Sequence, residues 1–170
     1  GTVYAKLGSK VSVIEMENQI LPGFDKEIVN VLQRNLEKLG IGIYLNSKAS
    51  NLDNGKVTIE SKDKGNLSID ADIVLVAVGR IPATNGIGLE NTKVKLDDKG
   101  FVKVDKNLRT SEGNIYAIGD VSTGPMLAHK ASSQGKFVAD VIAGKKDAYE
   151  NIIVPAVIFT DPEIATVGMD

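Results

Sequence analysis

The sequence has 170 residues, and its 20 basic and 22 acidic side chains are mixed along the chain for a formal net charge of −2, which gives no indication of nucleic-acid binding or of a polybasic membrane anchor. The hydrophobic fraction of 42% is enough for a substantial core, and the absence of cysteine excludes a disulfide framework, a cysteine metal site and a thiol nucleophile within this sequence. No apolar run approaches the roughly 18 residues of a membrane span and no signal-peptide pattern opens the chain, so we expect a globular protein of the cytoplasm.

The amino terminus has the pattern of a helix end. Residues 1–8 (GTVYAKLG) place Val3, Tyr4 and Leu7 at helical spacing without a preceding residue to cap them, and Gly8 suits a left-handed stop. Because natural chains rarely start in mid-helix, we expect a piece of a longer polypeptide.

Residues 9–15 (SKVSVIE) predict a β-strand that ends on Glu15, since β-branched side chains dominate the run. In a dinucleotide-binding βαβ unit, an acid at the end of the second strand bonds the adenosine ribose hydroxyls and repels a 2′-phosphate, which favours NAD over NADP. The alternative interpretation is a solvated charge at a strand end.

The next segments predict a crossover unit followed by a meander. Asp25 is a suitable cap for a helix over residues 25–39, and residues 41–45 return as a strand, so the strand, helix and strand predict a right-handed βαβ unit. Between residues 48 and 70, turn-forming clusters such as Asn54-Gly55 separate short extended runs. We therefore expect an antiparallel β-meander inserted into an α/β pattern.

Residues 72–78 (DIVLVAV) are a continuous apolar run, which is typical of a strand covered on both faces. Gly79 follows this run and either lets the backbone approach a ligand or only permits a sharp exit turn. Further along, residues 100–105 (GFVKVD) predict a short strand with alternating faces, and we place a domain boundary close after it.

Residues 110–120 (TSEGNIYAIGD) contain the clearest functional pattern of the chain. A short apolar run over residues 115–118 ends at Gly119 and Asp120, which predicts a buried parallel strand that delivers one carboxylate to its carboxyl edge. Open α/β sheets bind ligands at that edge. A helix predicted over residues 126–143 begins close by, so we expect a cofactor site here.

The helix over residues 126–143 has two distinct sides. Ala131, Ser132 and Gly135 form a stripe small enough for close packing, and the predicted core face contains Phe137, Val138, Val141 and Ile142. His129 is the only histidine, and in the first turn of a helix it is more often a cap or a hydrogen-bonding residue than a catalyst. Beyond the helix, residues 152–170 contain two apolar runs that predict further strands.

Five segments, in order along the chain, resemble the pyridine nucleotide-disulfide oxidoreductases. They are VSVIE (11–15), VLVAVGRIP (74–82), residues 110–120, GPMLAHKASSQG (124–135) and VIFTDPEIATVG (157–168). The MLAHKA stretch is similar to the lipoamide branch of the family rather than to the glutathione or mercuric reductase branches. The resemblance implies an α/β, partial Rossmann-like fold with two dinucleotide sites, in which the first strand of the NAD domain is missing.

The resemblance also implies roles for individual residues, with FAD and NAD as the cofactors. Asp120 would bind the ribityl chain of FAD, and four residues at the start of the helix would present backbone N–H groups to the flavin pyrimidine ring: Met126, Leu127, Ala128 and His129. Glu15 would bind the NAD ribose, Ala49 would contact NAD near the adenine, and Gly79 would lie on the nicotinamide side.

For the whole enzyme the resemblance implies oxidation of dihydrolipoamide through a disulfide and FAD to NAD, in a homodimer that serves the lipoyl groups of 2-oxoacid dehydrogenase complexes. Residues 1–106 would be an incomplete NAD domain, residues 107–148 part of the FAD domain, and residues 149–170 the start of the interface domain. The paired cysteines and the His-Glu pair of the family are not in this sequence, so we expect the chain by itself to be inactive. The location would be cytoplasmic, or the mitochondrial matrix in a eukaryote.

Two alternatives remain open from the sequence. One is another two-dinucleotide flavoprotein, such as an NADH oxidase or a coenzyme A disulfide reductase, which a single cysteine upstream would favour. The other is a non-catalytic nucleotide-binding fragment, for which we expect weak or absent NAD binding by the chain itself.

Overall fold

A computed structural model describes residues 1–122, 124–145, 148–150 and 152–168. The chain is a mixed α/β protein that forms two compact units: one contains Gly1–Val76 and the segment from Val157 onward, and the other contains Ala77–Ala156. Its elements are α1 (Thr2–Lys6), β1 (Ser12–Ile14), α2 (Lys26–Lys38), β2 (Gly42–Tyr44), β3 (Ser47–Asp53), β4 (Lys56–Ser61), β5 (Gly65–Asp70), two 3₁₀ turns (Leu89–Asn91 and Gly119–Val121), α3 (Ala128–Ile142), β6 (Ala156–Ile158) and β7 (Ile164–Thr166). No helix in these described ranges is long and apolar enough to cross a membrane.

The first unit begins with the predicted βαβ arrangement. Strands β1 and β2 pair in parallel, and α2 connects them. The Asp25 side chain caps α2 by accepting hydrogen bonds from the N–H groups of Glu27 (2.7 Å) and Ile28 (3.4 Å), which satisfies donors that have no partner inside the helix. The apolar face of α2 then packs into a core of six buried side chains: Ile20, Val29, Leu32, Leu36, Ile41 and Ile164.

The predicted meander is also confirmed. Strands β3, β4 and β5 form one antiparallel sheet in sequence order. The turn between β3 and β4 places Asn54 and Gly55 at positive φ, which is why an Asn-Gly pair suits it. Val57 and Ile59 are the buried side chains of β4, while β3 is exposed beyond Ser47. The fully buried apolar side chains of the sheet therefore lie in its central strand, and Leu67 and Ile69 of β5 are partly buried.

Three predicted strands are not formed. Residues 72–78 have no backbone hydrogen bond to another described segment, and Ile73 and Val78 are about nine-tenths exposed (88% and 93%). Residues 100–105 and 115–118 make only isolated bridges, through Val102 and Tyr116. A run becomes a strand only where a neighbouring strand completes a ladder of hydrogen bonds with it. Residues 100–105 and 115–118 make a few separate backbone hydrogen bonds, but the described residues supply a ladder to none of the three segments.

The other predicted ends are close to the observed ones. The helix at the amino terminus runs over Thr2–Lys6 with Gly8 at φ 95°, and α3 ends before Gly144 at φ 90°. Ile142 was wrongly assigned to the core, since it is exposed, whereas Val138 is buried. The two apolar runs near the carboxyl end form β6 and β7, which pair with each other. The parts of our predictions that concern residues 123, 146, 147, 151, 169 and 170 lie outside the described residues.

Candidate functional site

Asp120 lies in the 3₁₀ turn Gly119–Val121, and the turn is attached to helix α3 by a buried hydrogen bond. The Gly119 N–H donates to Oε1 of Gln134 at 2.7 Å, and the Ser122 hydroxyl donates to the Gly119 carbonyl at 2.9 Å. Both polar groups of the Gly119 residue therefore have partners. The Asp120 side chain is half exposed, with 52% of its surface accessible, so its carboxylate is available to a ligand.

The same turn approaches α3 closely enough to require glycine. Gly119 has φ 73°, a conformation that L side chains rarely adopt, and a Cβ built on it would lie 3.1 Å from the Ala131 Cβ. One turn later, a Cβ built on Gly135 would lie 3.4 Å from Cδ1 of Ile118. For Ala131 and Gly135, these contacts confirm the prediction that small residues allow close packing, in this case against residues 118 and 119, whereas Ser132 is exposed.

Two cationic side chains lie near the Asp120 carboxylate. Arg80 donates from Nη2 to the Met126 carbonyl at 2.8 Å, and its Nη1 is 3.9 Å from Oδ2 of Asp120. Lys130 is 4% exposed; burial lowers the pKa of its ammonium, and the Asp120 charge acts in the opposite direction. The Asp120 region thus combines one carboxylate with two cations, and Arg80 also joins the segment after Gly79 to the start of α3.

The first turn of α3 has no side-chain cap. Its cap residue is Leu127, which makes no side-chain hydrogen bond to the helix. The first N–H groups of a helix have no partner inside it, so they attract acceptors and negative charge. Met126 and Leu127 are partly buried, whereas Ala128 and His129 are exposed. The His129 ring nitrogen Nε2 donates to the Pro155 carbonyl at 2.7 Å, which makes His129 a hydrogen-bonding residue here.

Glu15 and Ala49 lie in the first unit, Glu15 directly after the carboxyl end of β1 and Ala49 near the start of β3. The Glu15 N–H donates to the Tyr44 carbonyl, the Glu15 carbonyl accepts from Ser47 N–H, and both distances are 2.9 Å. One oxygen of the Glu15 carboxylate accepts the N–H of Glu17 at 3.0 Å. Ala49 is two residues beyond Ser47, exposed, beside an irregularity in the β3–β4 pairing. The structure therefore brings Glu15 and the start of β3 together.

Gly79 belongs to the other unit, together with Asp120 and residues 126–129. It is exposed at φ 128°, and a Cβ built on it would meet nothing within 4 Å. Glycine is required here by the backbone conformation and not by a close neighbour, so this contact pattern leaves both interpretations of Gly79 open.

Sequence reasoning missed three residues of the Asp120 region: Arg80, Lys130 and Gln134. The last two are buried polar residues one helical turn apart, and apolar periodicity assigns polar positions to the solvent face. Arg80 follows the apolar run over residues 72–78, after which only Gly79 was predicted to lie at a ligand. The available signal was the spacing, because positions 130, 134 and 138 share one face of a helix.

A half-exposed carboxylate beside a helix amino terminus, and an acid at the end of a strand in a βαβ unit, are the arrangement that nucleotide cofactors use in α/β proteins. The carboxylates can accept hydrogen bonds from sugar hydroxyls, and the N–H groups at the start of the helix can donate to an electron-poor ring. Residues 1–135 match the model of the family described as "Pyridine nucleotide-disulphide oxidoreductase". The chain therefore belongs to this family, whose members use FAD and NAD(P).

Within this family, the chain is similar to individual dihydrolipoyl dehydrogenases. The chain is 43% identical to the dihydrolipoyl dehydrogenase of Geobacillus stearothermophilus, over 99% of this chain and 36% of the relative. It is 46% identical to that of Haloferax volcanii, again over 99% of this chain and 36% of the relative. The chain thus spans a little over a third of the length of these relatives.

Solved structures show the same similarity in three dimensions. The HOCl-induced flavoprotein disulfide reductase RclA of Escherichia coli, in its Cu(II) complex, matches with a TM-score of 0.86 and 31% identity, over 99% of this chain and 39% of that one. LpdA of Mycobacterium tuberculosis matches with a TM-score of 0.85 and 29% identity, over 99% of this chain and 37% of that one. The local fold is therefore that of a flavoprotein disulfide reductase.

Proposed function

We propose that the protein carrying this chain is a dihydrolipoamide (dihydrolipoyl) dehydrogenase that uses FAD and NAD. The observation that supports this is sequence identity of 39% to 46% with dihydrolipoyl dehydrogenases of bacteria and archaea over 99% of the chain. In this reaction two electrons leave the dithiol of dihydrolipoamide and reduce an enzyme disulfide. They reach NAD as a hydride by way of the flavin.

Within this proposal, residues of the chain bind and orient the cofactors. The Asp120 carboxylate accepts hydrogen bonds from ribityl hydroxyls, because charged acceptors bind hydroxyl donors strongly. The backbone N–H groups of residues 126–129 and the positive end of α3 stabilise negative charge on the reduced flavin. In the first unit Glu15 binds the NAD ribose and Ala49 lies near the adenine, and in the second unit Gly79 lies on the nicotinamide side.

The proposal extends to the surroundings of the enzyme. Its partners are the lipoyl groups of 2-oxoacid dehydrogenase complexes, which present the dithiol on a mobile arm. The active assembly is a homodimer, located in the cytoplasm or, in a eukaryote, in the mitochondrial matrix. The disulfide itself is supplied outside this chain, which contains no cysteine.

The direct test is an assay of the polypeptide expressed from its complete coding sequence. We expect yellow protein with bound FAD that reduces NAD when dihydrolipoamide is added, and Asp120→Asn should weaken FAD binding while Asp53→Asn, on an exposed strand of the meander, should not. Glu15→Gln should reduce the preference for NAD over NADP, since the charge that repels a 2′-phosphate is removed. No dihydrolipoamide-dependent reduction of NAD by FAD-loaded protein would refute the proposal.

A second candidate is a flavoprotein disulfide reductase with another substrate. The structural match to RclA favours it, because that reductase superposes on the chain as well as LpdA does. The same purified protein separates the two candidates. Oxidation of NAD(P)H by a disulfide or a metal-ion oxidant, without reaction of dihydrolipoamide and NAD, would support the second candidate.

A further inference from the structure

Gln134 is the buried polar residue that connects helix α3 to the Asp120 turn. Its side chain is 3% exposed, and its Oε1 accepts the Gly119 N–H at 2.7 Å across fifteen residues of sequence. The bond is short for an N–H···O contact and lies out of water, where an unmet donor is costly. This N–H belongs to the peptide group between Ile118 and Gly119, immediately before the residue that precedes Asp120.

The neighbouring contacts leave this turn little freedom. On the other side of the Gly119 residue, the Ser122 hydroxyl holds the carbonyl at 2.9 Å. The close approach of Gly119 to Ala131 fixes the distance between turn and helix. Three contacts, from positions 122, 131 and 134, thus define where the Asp120 side chain begins relative to α3.

The chemistry of an amide suits this position better than that of an acid. Lys130 lies one helical turn before Gln134 on the same buried face, and its ammonium is electrostatically coupled to Asp120. A carboxylate at position 134 would compete with Asp120 for that positive charge. A neutral acceptor holds the Gly119 N–H without adding a second negative charge near Lys130.

We propose that Gln134 is a positioning residue for the flavin. Its hydrogen bond to Gly119 fixes the position of the Asp120 carboxylate relative to the first N–H groups of α3. The inference rests on the proposed function as far as the flavin is concerned. One side chain joins both parts of the proposed site. If its acceptor is lost, Asp120, which contacts the ribityl chain, is no longer held in place relative to the helix terminus, which contacts the flavin ring. Neither Asp120 nor the helix terminus is itself altered.

The experiment compares three variants in the FAD-loaded protein expressed from its complete coding sequence. Gln134→Met keeps the length of the side chain and removes the acceptor, and Gln134→Glu keeps an acceptor oxygen in the same place. Gln33→Met is the matched control, since it removes an amide from α2, where Gln33 bonds Glu37 on the helix surface. If Gln134→Met does not fold, Gln134→Asn, which withdraws the oxygen by one methylene, takes its place.

Two kinds of measurement report on each variant: amide hydrogen exchange at Gly119, and two properties of the bound flavin, its dissociation constant and its midpoint potential. For Gln134→Met we expect exchange at Gly119 about tenfold faster and FAD binding about tenfold weaker, as for a lost buried hydrogen bond. The potential should become more negative, because the helix N–H groups stabilise the reduced flavin less well. Gln134→Glu retains an acceptor oxygen, so exchange at Gly119 should stay near the wild-type rate, and Gln33→Met should change neither kind of measurement.

Equal FAD affinity in Gln134→Met and Gln33→Met would overturn the inference, and so would weaker FAD binding with unchanged exchange at Gly119. Neither measurement requires dihydrolipoamide. A protein that binds FAD, responds to Gln134→Met as expected and fails to oxidise dihydrolipoamide would refute the proposed function and leave this inference standing. A complete protein without affinity for FAD would refute both.

Discussion

Replacement of Gly119 by alanine tests whether the Asp120 turn depends on close contact with α3. The backbone at Gly119 has φ 73°, and the new Cβ would lie 3.1 Å from the Cβ of Ala131. Two separate costs follow. One is the left-handed conformation, which any L-residue other than glycine finds unfavourable, and the other is a carbon–carbon contact well inside the usual 3.5 to 4.0 Å.

Gly86 offers a control that separates these costs. It also has φ 73°, and a Cβ built there meets nothing within 4 Å. Gly86→Ala should therefore lose about 1–2 kcal/mol for the conformation alone. Gly119→Ala should lose that amount and about 1–3 kcal/mol more for overpacking, a total of roughly 2–5 kcal/mol.

Urea denaturation of the two variants measures the difference directly, and a double-mutant cycle with Ala131→Gly identifies its source. Removal of the Ala131 methyl group should recover most of the extra loss in Gly119→Ala and none of the loss in Gly86→Ala. Equal destabilisation of both glycine variants, or no recovery in the double variant, would show that the contact with Ala131 does not matter. FAD affinity of the complete protein should fall only for Gly119→Ala.

Three further predictions concern stability. Leu32, 1% exposed, lies in the core of the first unit, so Leu32→Ala should lower the free energy of unfolding by about 2–5 kcal/mol. Val31 is half exposed on the same helix, so Val31→Ala should lower it by under about 0.5 kcal/mol. Similar urea midpoints for the two variants would contradict this description of the core. Asp25→Ala removes the cap of α2 and should cost about 1 kcal/mol, a loss that Asp25→Ser should largely avoid if capping is the cause. Burial lowers the pKa of Lys130 in the folded protein, so between that lowered pKa and about 10.4 the unfolded chain binds more protons than the folded one. The wild type should therefore gain stability relative to Lys130→Met as the pH rises through this window. A stability difference that does not change with pH would argue against a charged, buried ammonium.

The elements that could be predicted from sequence are those stabilised by local contacts. Helix α2 has its cap, its apolar face and its glycine stop within one continuous segment, and the strands of the meander are joined by tight turns. Such signals lie within a few residues of the structure they specify. The parallel pair of β1 and β2 was also predictable, because α2 sets the connection between them.

The strands that were predicted and not formed depend on partners distant in sequence. The run over residues 72–78 has the composition of a buried strand, yet composition specifies only that such a segment is suited to burial. Whether it becomes a strand depends on the segments beside it. The same reasoning applies to residues 115–118, where one flank is covered by the turn around Leu108 and Ile118 remains exposed.

For the candidate site, the sequence indicated the groups that have a recognisable local pattern and missed those whose partners are distant in sequence. Asp120 and the start of α3 were identified because a carboxylate after an apolar run and a helix terminus have recognisable patterns. Arg80 and Gln134 act through a carbonyl and a peptide N–H contributed by distant residues, and such hydrogen bonds leave no periodic trace. A structure therefore adds most to the sequence for polar side chains, such as Gln134, on the buried face of a helix.

The division of the chain into units has a consequence for its synthesis. The core around Leu32 is completed by Ile164 of β7, and the pairing of Lys6 with Asp161 makes a second link between the two ends of that unit. Residues 77–156, which form the other unit, leave the ribosome between them. Domains fold as their segments emerge. The unit that begins at Gly1 therefore keeps part of its apolar core exposed to solvent while residues 77–156 are synthesised. A pause in translation after residue 76 would therefore prolong the exposure of these apolar side chains.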